Sequence, residues 1–217
     1  MLKRLLGISV LGLAMALPVF ADDKKPTKPE EKKPAEAPKG GDAKPAAPGA
    51  PDTAAMMAMY EEAAKLGPQH EAMKPLLGSW KTANKMWMDP SAPPMVSQGT
   101  MERKVILGGR FMHEEYSGTM MDKPFNGIGH MGYDNMEKKY VATWIDSMGT
   151  GIMTMSGQAD ASGKVFTMTS DRPDPFSGMK MKTVVKIVNN DKHTFEMFMI
   201  GSDGKEMKNM EMECTRK

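Results

Sequence analysis

From residue 79 onward, turn-forming residues cut the chain into ten short segments, and no stretch between them carries helical spacing. The strand candidates are 79–88, 97–107, 110–117, 125–133, 139–147, 151–159, 164–170, 179–188, 193–200 and 206–216. Asp89-Pro90, Gly108-Gly109, Asp134-Asn135, Ser162-Gly163, Asn189-Asn190 and Ser202-Asp203-Gly204 supply residues that tolerate turn dihedrals. Links this short leave no room for crossover helices, so consecutive strands are expected to pair antiparallel, up and down. Laid out as an open sheet they would leave two long unpaired edges, which closure into a barrel removes. The expected fold is mainly β: a single antiparallel up-and-down β-barrel of about ten strands, preceded by one or two short helices.

The alternation of side chains supports closure around an interior. Met179, Met181, Thr183, Val185 and Ile187 share one strand face, opposite Lys180, Lys182 and Lys186. Met210, Met212, Cys214 and Arg216 likewise oppose Glu211 and Glu213, and Phe195, Met197 and Met199 form another apolar row. One apolar and one wet face fit a barrel whose interior is filled or holds a ligand. Ahead of the strands, Asp52 or Thr53 caps a helix running to about Leu66, with Met56, Met59, Tyr60, Ala63 and Ala64 on one face. Gly67-Pro68 stops it, and a second short helix is expected over 68–76.

The first 52 residues differ in kind. Lys3 and Arg4, the apolar run Leu5 to Leu17, Pro18 and Val19-Phe20-Ala21 have the order of a secretory signal peptide cleaved near Ala21. The apolar run is shorter than the roughly 20 residues a spanning helix needs, so no membrane span is expected. Residues 22–52 hold Pro, Lys, Asp, Glu, Ala and Gly, with no Leu, Ile, Val or aromatic residue. Nothing there can offset the entropy of ordering the backbone, and the repeated K-P and A-P steps favour extended conformations. The expected arrangement is a folded part held by a disordered linker and exported to the periplasm or beyond.

Charge and cysteine content narrow the function classes. Lys and Arg number 29 against 27 Asp and Glu, and the surplus is Lys3 and Arg4 of the leader. A balanced remainder offers no cationic footprint for nucleic acid. The lone Cys214 excludes an intramolecular disulfide framework and a multi-cysteine zinc or iron–sulfur site, although it could pair between chains.

Two short signatures bracket the strands. Gly78-Ser79-Trp80 opens the first, and Arg216 ends the last on its inward face. This resembles the calycin barrels, lipocalins and fatty-acid-binding proteins among them, which carry Gly-x-Trp at the first strand and a stacked Arg at the last. The resemblance implies a structural closure by Gly78, Trp80 and Arg216, held by cation–π attraction. A longer array covers nearly all of 68–217: Gly67-Pro68-x-His70, Leu77-Gly78-x-Trp80, Leu107-Gly108-Gly109-Arg110-Phe111, Gly132-Tyr133-Asp134-Asn135 and Thr143-Trp144-Ile145-Asp146-Ser147-Met148. It resembles an uncharacterised bacterial family catalogued as a domain of unknown function. That resemblance implies a lipocalin-like barrel over 53–217 and carries no activity with it.

Candidate chemistry is sparse. Methionine stands out, with 26 in the chain. Met-x-Met pairs at 86/88, 153/155, 179/181, 197/199 and 210/212 each aim two thioethers to one side of a strand. They serve either as flexible core filler or as soft ligands for copper(I). His70, His113, His130 and His193 show none of the usual metal spacings. His113 and His130 stand as axial candidates should the barrel hold haem, as related barrels do. His70 is read as a support for the preceding helix, and His193 as a turn residue after Asp191-Lys192.

The strand 110–117 is polar on both faces, with Glu114 on one and His113 and Glu115 on the other, so charged groups should enter the interior whichever way it turns. The cavity candidates are therefore His113, Glu115, His130, Tyr133, Trp144 and Asp146. Gly127-x-Gly129-x-x-Gly132 matches a dinucleotide pattern but lacks the following helix. No catalytic motif or metal motif is present. The function expected is a carrier of a small hydrophobic or amphipathic molecule, with copper handling and a cavity hydrolase or isomerase built on Asp146, Glu115 or His113 as alternatives.

Overall fold

The structure is a computed structural model that describes residues 52–175 and 177–217. The segments expected to be a signal peptide, 1–21, and a linker, as far as Pro51, lie outside the described residues. The described chain begins with α1 (Thr53–Ala63), α2 (Pro68–Ala72) and a 3-10 turn (Lys74–Leu76). The strands follow as β1 (Gly78–Met86), β2 (Met95–Ile106), β3 (Phe111–Met120), β4 (Lys123–Asp134) and β5 (Lys139–Asp146). The second half holds β6 (Met153–Ala159), β7 (Val165–Ser170), β8 (Lys180–Asn189), β9 (Lys192–Ile200) and β10 (Glu206–Arg216).

Every strand pairs antiparallel with its chain neighbours, and β10 returns to β1, so the sheet closes as a ten-stranded barrel. The closing ladder runs from Trp80 opposite Arg216 to Met86 opposite Met210. Closure leaves no edge strand, which is why the expected meander does not remain open. Among the described residues no helix is long and apolar enough to cross a membrane.

The helices form where local signals place them. Asp52 caps α1 by accepting from the backbone N–H groups of Ala54 at 3.0 Å and Ala55 at 3.3 Å. The apolar face anticipated for α1 finds no core, however: no residue of the helix is buried, and Met59 and Tyr60 are 60% and 64% exposed. Asn135, in the β4–β5 turn, fastens the helix end by donating to the carbonyls of Ala63 and Lys65. The second expected helix splits at Met73 into α2 and the 3-10 turn, because Pro75 has no N–H to continue an α-helical ladder. His70 accepts from the Gly67 N–H at 3.0 Å, in the supporting role read from the sequence.

Alternation decides which side chains enter the barrel. One buried cluster lies beneath the 3-10 turn, with Leu76, Met112, Met131, Tyr140, Phe166 and Ile187 among its members. A second gathers Trp80, Met101, Tyr116, Phe125, Met212 and Cys214 on the wall made by β10 and β1–β4. The phase of β3, ambiguous in sequence, is fixed by packing: Met112, Glu114 and Tyr116 point inward, and His113 and Glu115 point outward.

Candidate ligand site

The barrel has a capped end and an open end. At the capped end the Arg216 guanidinium lies 4.2 Å from the Trp80 ring centroid and donates to the carbonyls of Leu77, Pro75 and Asn190. Trp80 is fully buried, and its indole N–H donates to Leu76 O at 3.0 Å. Gly78 sits at φ 110°, and a Cβ there would fall 2.5 Å from Arg216 Nη1. Only glycine combines that backbone with that close approach. The bracket ties the strands to the 3-10 turn.

Just inside this closure lies a buried charge cluster. Arg103 on β2 pairs with Glu114 on β3 at 2.6 Å, with side-chain exposures of 5% and 15%. The same guanidinium meets His193 Nε2 at 2.8 Å. Arginine has no lone pair to accept with, so Nε2 accepts and the imidazole is neutral. Burial, with the Arg103 and Arg216 charges nearby, pushes the His193 pKa down to about 3. The turn reading of His193 is thereby corrected. It is an inward residue of β9, 1% exposed, with its ring edge-to-face on Trp80 at 4.3 Å. Arg103 also escaped notice in the sequence, although it shares the parity of inward Met101. Cys214 is wholly buried, and burial pushes its thiol up to about 12, so it stays protonated at neutral pH and is not exposed to a second chain.

The six sequence candidates do not form one site. His113, Glu115 and His130 stand outside the barrel, where His113 Nδ1 meets His130 Nε2 at 3.0 Å and His113 Nε2 meets Glu115 Oε1 at 2.9 Å. That contact and Lys104 hold the Glu115 carboxyl below its usual range. Neither histidine faces the interior, so neither can serve as an axial ligand to a group held there. Tyr133 is at the capped end, stacked edge-to-face on Tyr140 and His70.

Trp144 and Asp146 lie toward the open end on β5. Asp146 accepts from the Trp144 indole N–H at 2.9 Å and from the Met148 backbone N–H at 2.9 Å. With both oxygens engaged, the carboxylate orients the indole and the turn rather than standing free as a base. Two glycines of the β4 pattern are explained here too: a Cβ on Gly127 would fall 2.1 Å from Trp144 Cζ2 and one on Gly129 3.1 Å from Trp144 Cε3, so both make room for the indole against the inner wall, whereas Gly132 makes room for Phe111.

Deeper in the open half, Asn84 on β1 donates to Tyr116 Oη at 2.8 Å and Ser97 Oγ at 3.2 Å. Its side-chain oxygen is buried without a partner. Around it the inward wall is apolar yet only half-buried, with Phe195, Met197 and Met210 flanking buried Phe125 and Met212. A groove of about 540 Å3 also lies at the opposite end, outside the barrel, between α2, the 3-10 turn and the Leu107-Gly108-Gly109 corner. Among the described residues no group of three or more His, Cys, Asp or Glu side chains could hold a metal ion.

The crystal structure of Rv2717c from M. tuberculosis aligns over 70% of this chain and 99% of its own, with a TM-score of 0.54 at 16% identity, a likeness of fold. The S-type phycobiliprotein lyase CPES from Guillardia theta aligns over 68% of this chain and 91% of its own, with a TM-score of 0.47 at 9% identity. No functionally curated protein matches the sequence. Residues 65–216, the barrel with α2 and the 3-10 turn, match a single family throughout, and the chain belongs to that family, described as "Protein of unknown function (DUF1579)".

Proposed function

We propose that this chain is an exported binding protein that takes a small amphipathic molecule into the open end of its barrel. The observation that carries the reading is the contrast between the two ends. The capped end buries its apolar groups under Arg216 and the 3-10 turn, whereas the open end leaves an inward apolar wall half-exposed above the unpartnered Asn84 oxygen. Apolar surface facing inward yet reachable by water is what a ligand's hydrocarbon part would cover. A buried amide oxygen without a partner gives a polar group on that ligand its anchoring point. Export is supported by the ordered basic, apolar and small-residue segments of 1–21.

The test is titration of the full chain with the fluorescent amphiphile anilinonaphthalene sulfonate, alongside Phe195→Trp and Asn84→Leu variants. The expected result is saturable binding, with Phe195→Trp reducing affinity by filling the space level with Asn84 and Asn84→Leu altering it by removing the amide. Absence of saturable binding, or affinity indifferent to both changes, would refute the reading.

A further inference from the structure

The register collects methionines that are far apart in sequence. Met86 is the cross-strand partner of both Met95 and Met210, and Met210 is in turn the partner of Met197. Four thioethers therefore stand side by side on β2, β1, β10 and β9, on the inward face at the open end. One pair further along, Met199 is opposite both Met181 and Met207. Directly opposed residues have Cβ atoms about 5 Å apart, and the unbranched methionine side chain can swing its sulfur across that gap.

Core packing accounts for these positions only in part: Met210 packs against the second buried cluster, whereas Met86, Met95 and Met197 belong to neither. Met101, Met112 and Met168 show what filler looks like here, at 2%, 4% and 5% exposure. Met86, Met197 and Met210 are only half-buried, and Met95 is 40% exposed. By register the row lies on the inward, concave face of the sheet, and its side chains are partly reachable from solvent. Neutral thioethers are soft donors that give calcium, magnesium and zinc little reason to leave water, and no histidine or cysteine lies in the row.

We propose that Met86, Met95, Met197 and Met210 form a site for copper(I), held by thioether sulfurs alone. Three or four sulfurs would enclose the ion, with the barrel's curvature turning adjacent side chains toward a common point. The site shares Met197 and Met210 with the wall assigned to an organic ligand, so copper(I) is bound when that ligand is absent.

The test is anaerobic titration of the full chain with copper(I) in competition with a chromophoric copper(I) chelator, with silver(I) as a redox-inert second probe. The protein is expected to withhold one ion from the chelator, and the M86L/M210L variant to lose affinity by roughly tenfold or more. Methionine-to-leucine changes conserve volume, so the variant should fold, and M95L/M197L provides an independent second pair. M56L/M59L on exposed α1 should bind as the unaltered chain does. Copper surrendered as readily as free methionine surrenders it would overturn the proposal. So would M86L/M210L and M95L/M197L variants that both retain full affinity, or a loss in M56L/M59L equal to theirs.

Discussion

The buried Arg103–Glu114 pair shows most directly how single residues set this barrel's behaviour. Both charges are removed from water, and each is tolerable only because the other is 2.6 Å away. Replacing Arg103 alone by Met leaves Glu114 buried and uncompensated, so chemical denaturation should show a loss of about 3–5 kcal/mol. The double change R103M/E114L removes both charges and should recover most of that loss. A double variant as unstable as the single one would contradict the pairing.

His193 gives a second residue-scale prediction through pH. Its folded pKa of about 3 lies below the ordinary 6.5, so the unfolded chain binds the extra proton as pH falls. The stability is fully present above about pH 6.5 and is lost progressively as pH falls toward 3, by about 2 kcal/mol at pH 5. Carboxylates held low, such as Asp134 and Asp160, start from an ordinary 3.8, so they contribute mainly below pH 5 and add little between pH 7.5 and pH 5. Urea denaturation at pH 7.5 and pH 5 should show this slope, and His193→Gln should flatten it. A variant as acid-sensitive as its parent would assign the slope elsewhere.

At the scale of elements, β4 and β5 depend on each other through the space above Gly127. Gly127→Ala places a methyl where the Trp144 ring now lies, with the nearest ring atom 2.1 Å away. The indole must then leave the inner wall and give up its bond to Asp146. The expected cost is about 1–3 kcal/mol, with a shift in tryptophan fluorescence. Unchanged stability and emission would show that the ring has another resting place.

The element scale is also where the sequence was most legible. Strand positions could be read because alternation and turn residues such as Asn189-Asn190 and Ser202-Asp203-Gly204 are local signals, as is the Asp52 cap. What β3 does with its two polar faces was not readable, since only cross-strand partners decide it. His193 was hidden by Asp191-Lys192, turn-forming residues that stand immediately before and at the start of β9. The apolar spacing of α1 was real, but spacing alone does not supply a surface to pack against.

For the whole molecule, the decisive property is the asymmetry between the ends of the barrel. One end is locked by Trp80, Arg216 and the 3-10 turn, and the other exposes an inward apolar wall. Family membership brings no activity, and the likeness to Rv2717c is one of fold alone. The candidate site was only partly legible for a related reason. Trp144 and Asp146 were found as neighbours on one strand, whereas Asn84 and the methionine row emerge only when distant strands come into register. Native mass spectrometry of the chain, expressed from residue 1 and recovered from the compartment in which it accumulates, tests the binding reading most directly. A mature chain starting at Asp22 and carrying a small dissociable amphipathic molecule, lost in Phe195→Trp, is the result predicted. A bare polypeptide mass from both proteins would contradict it.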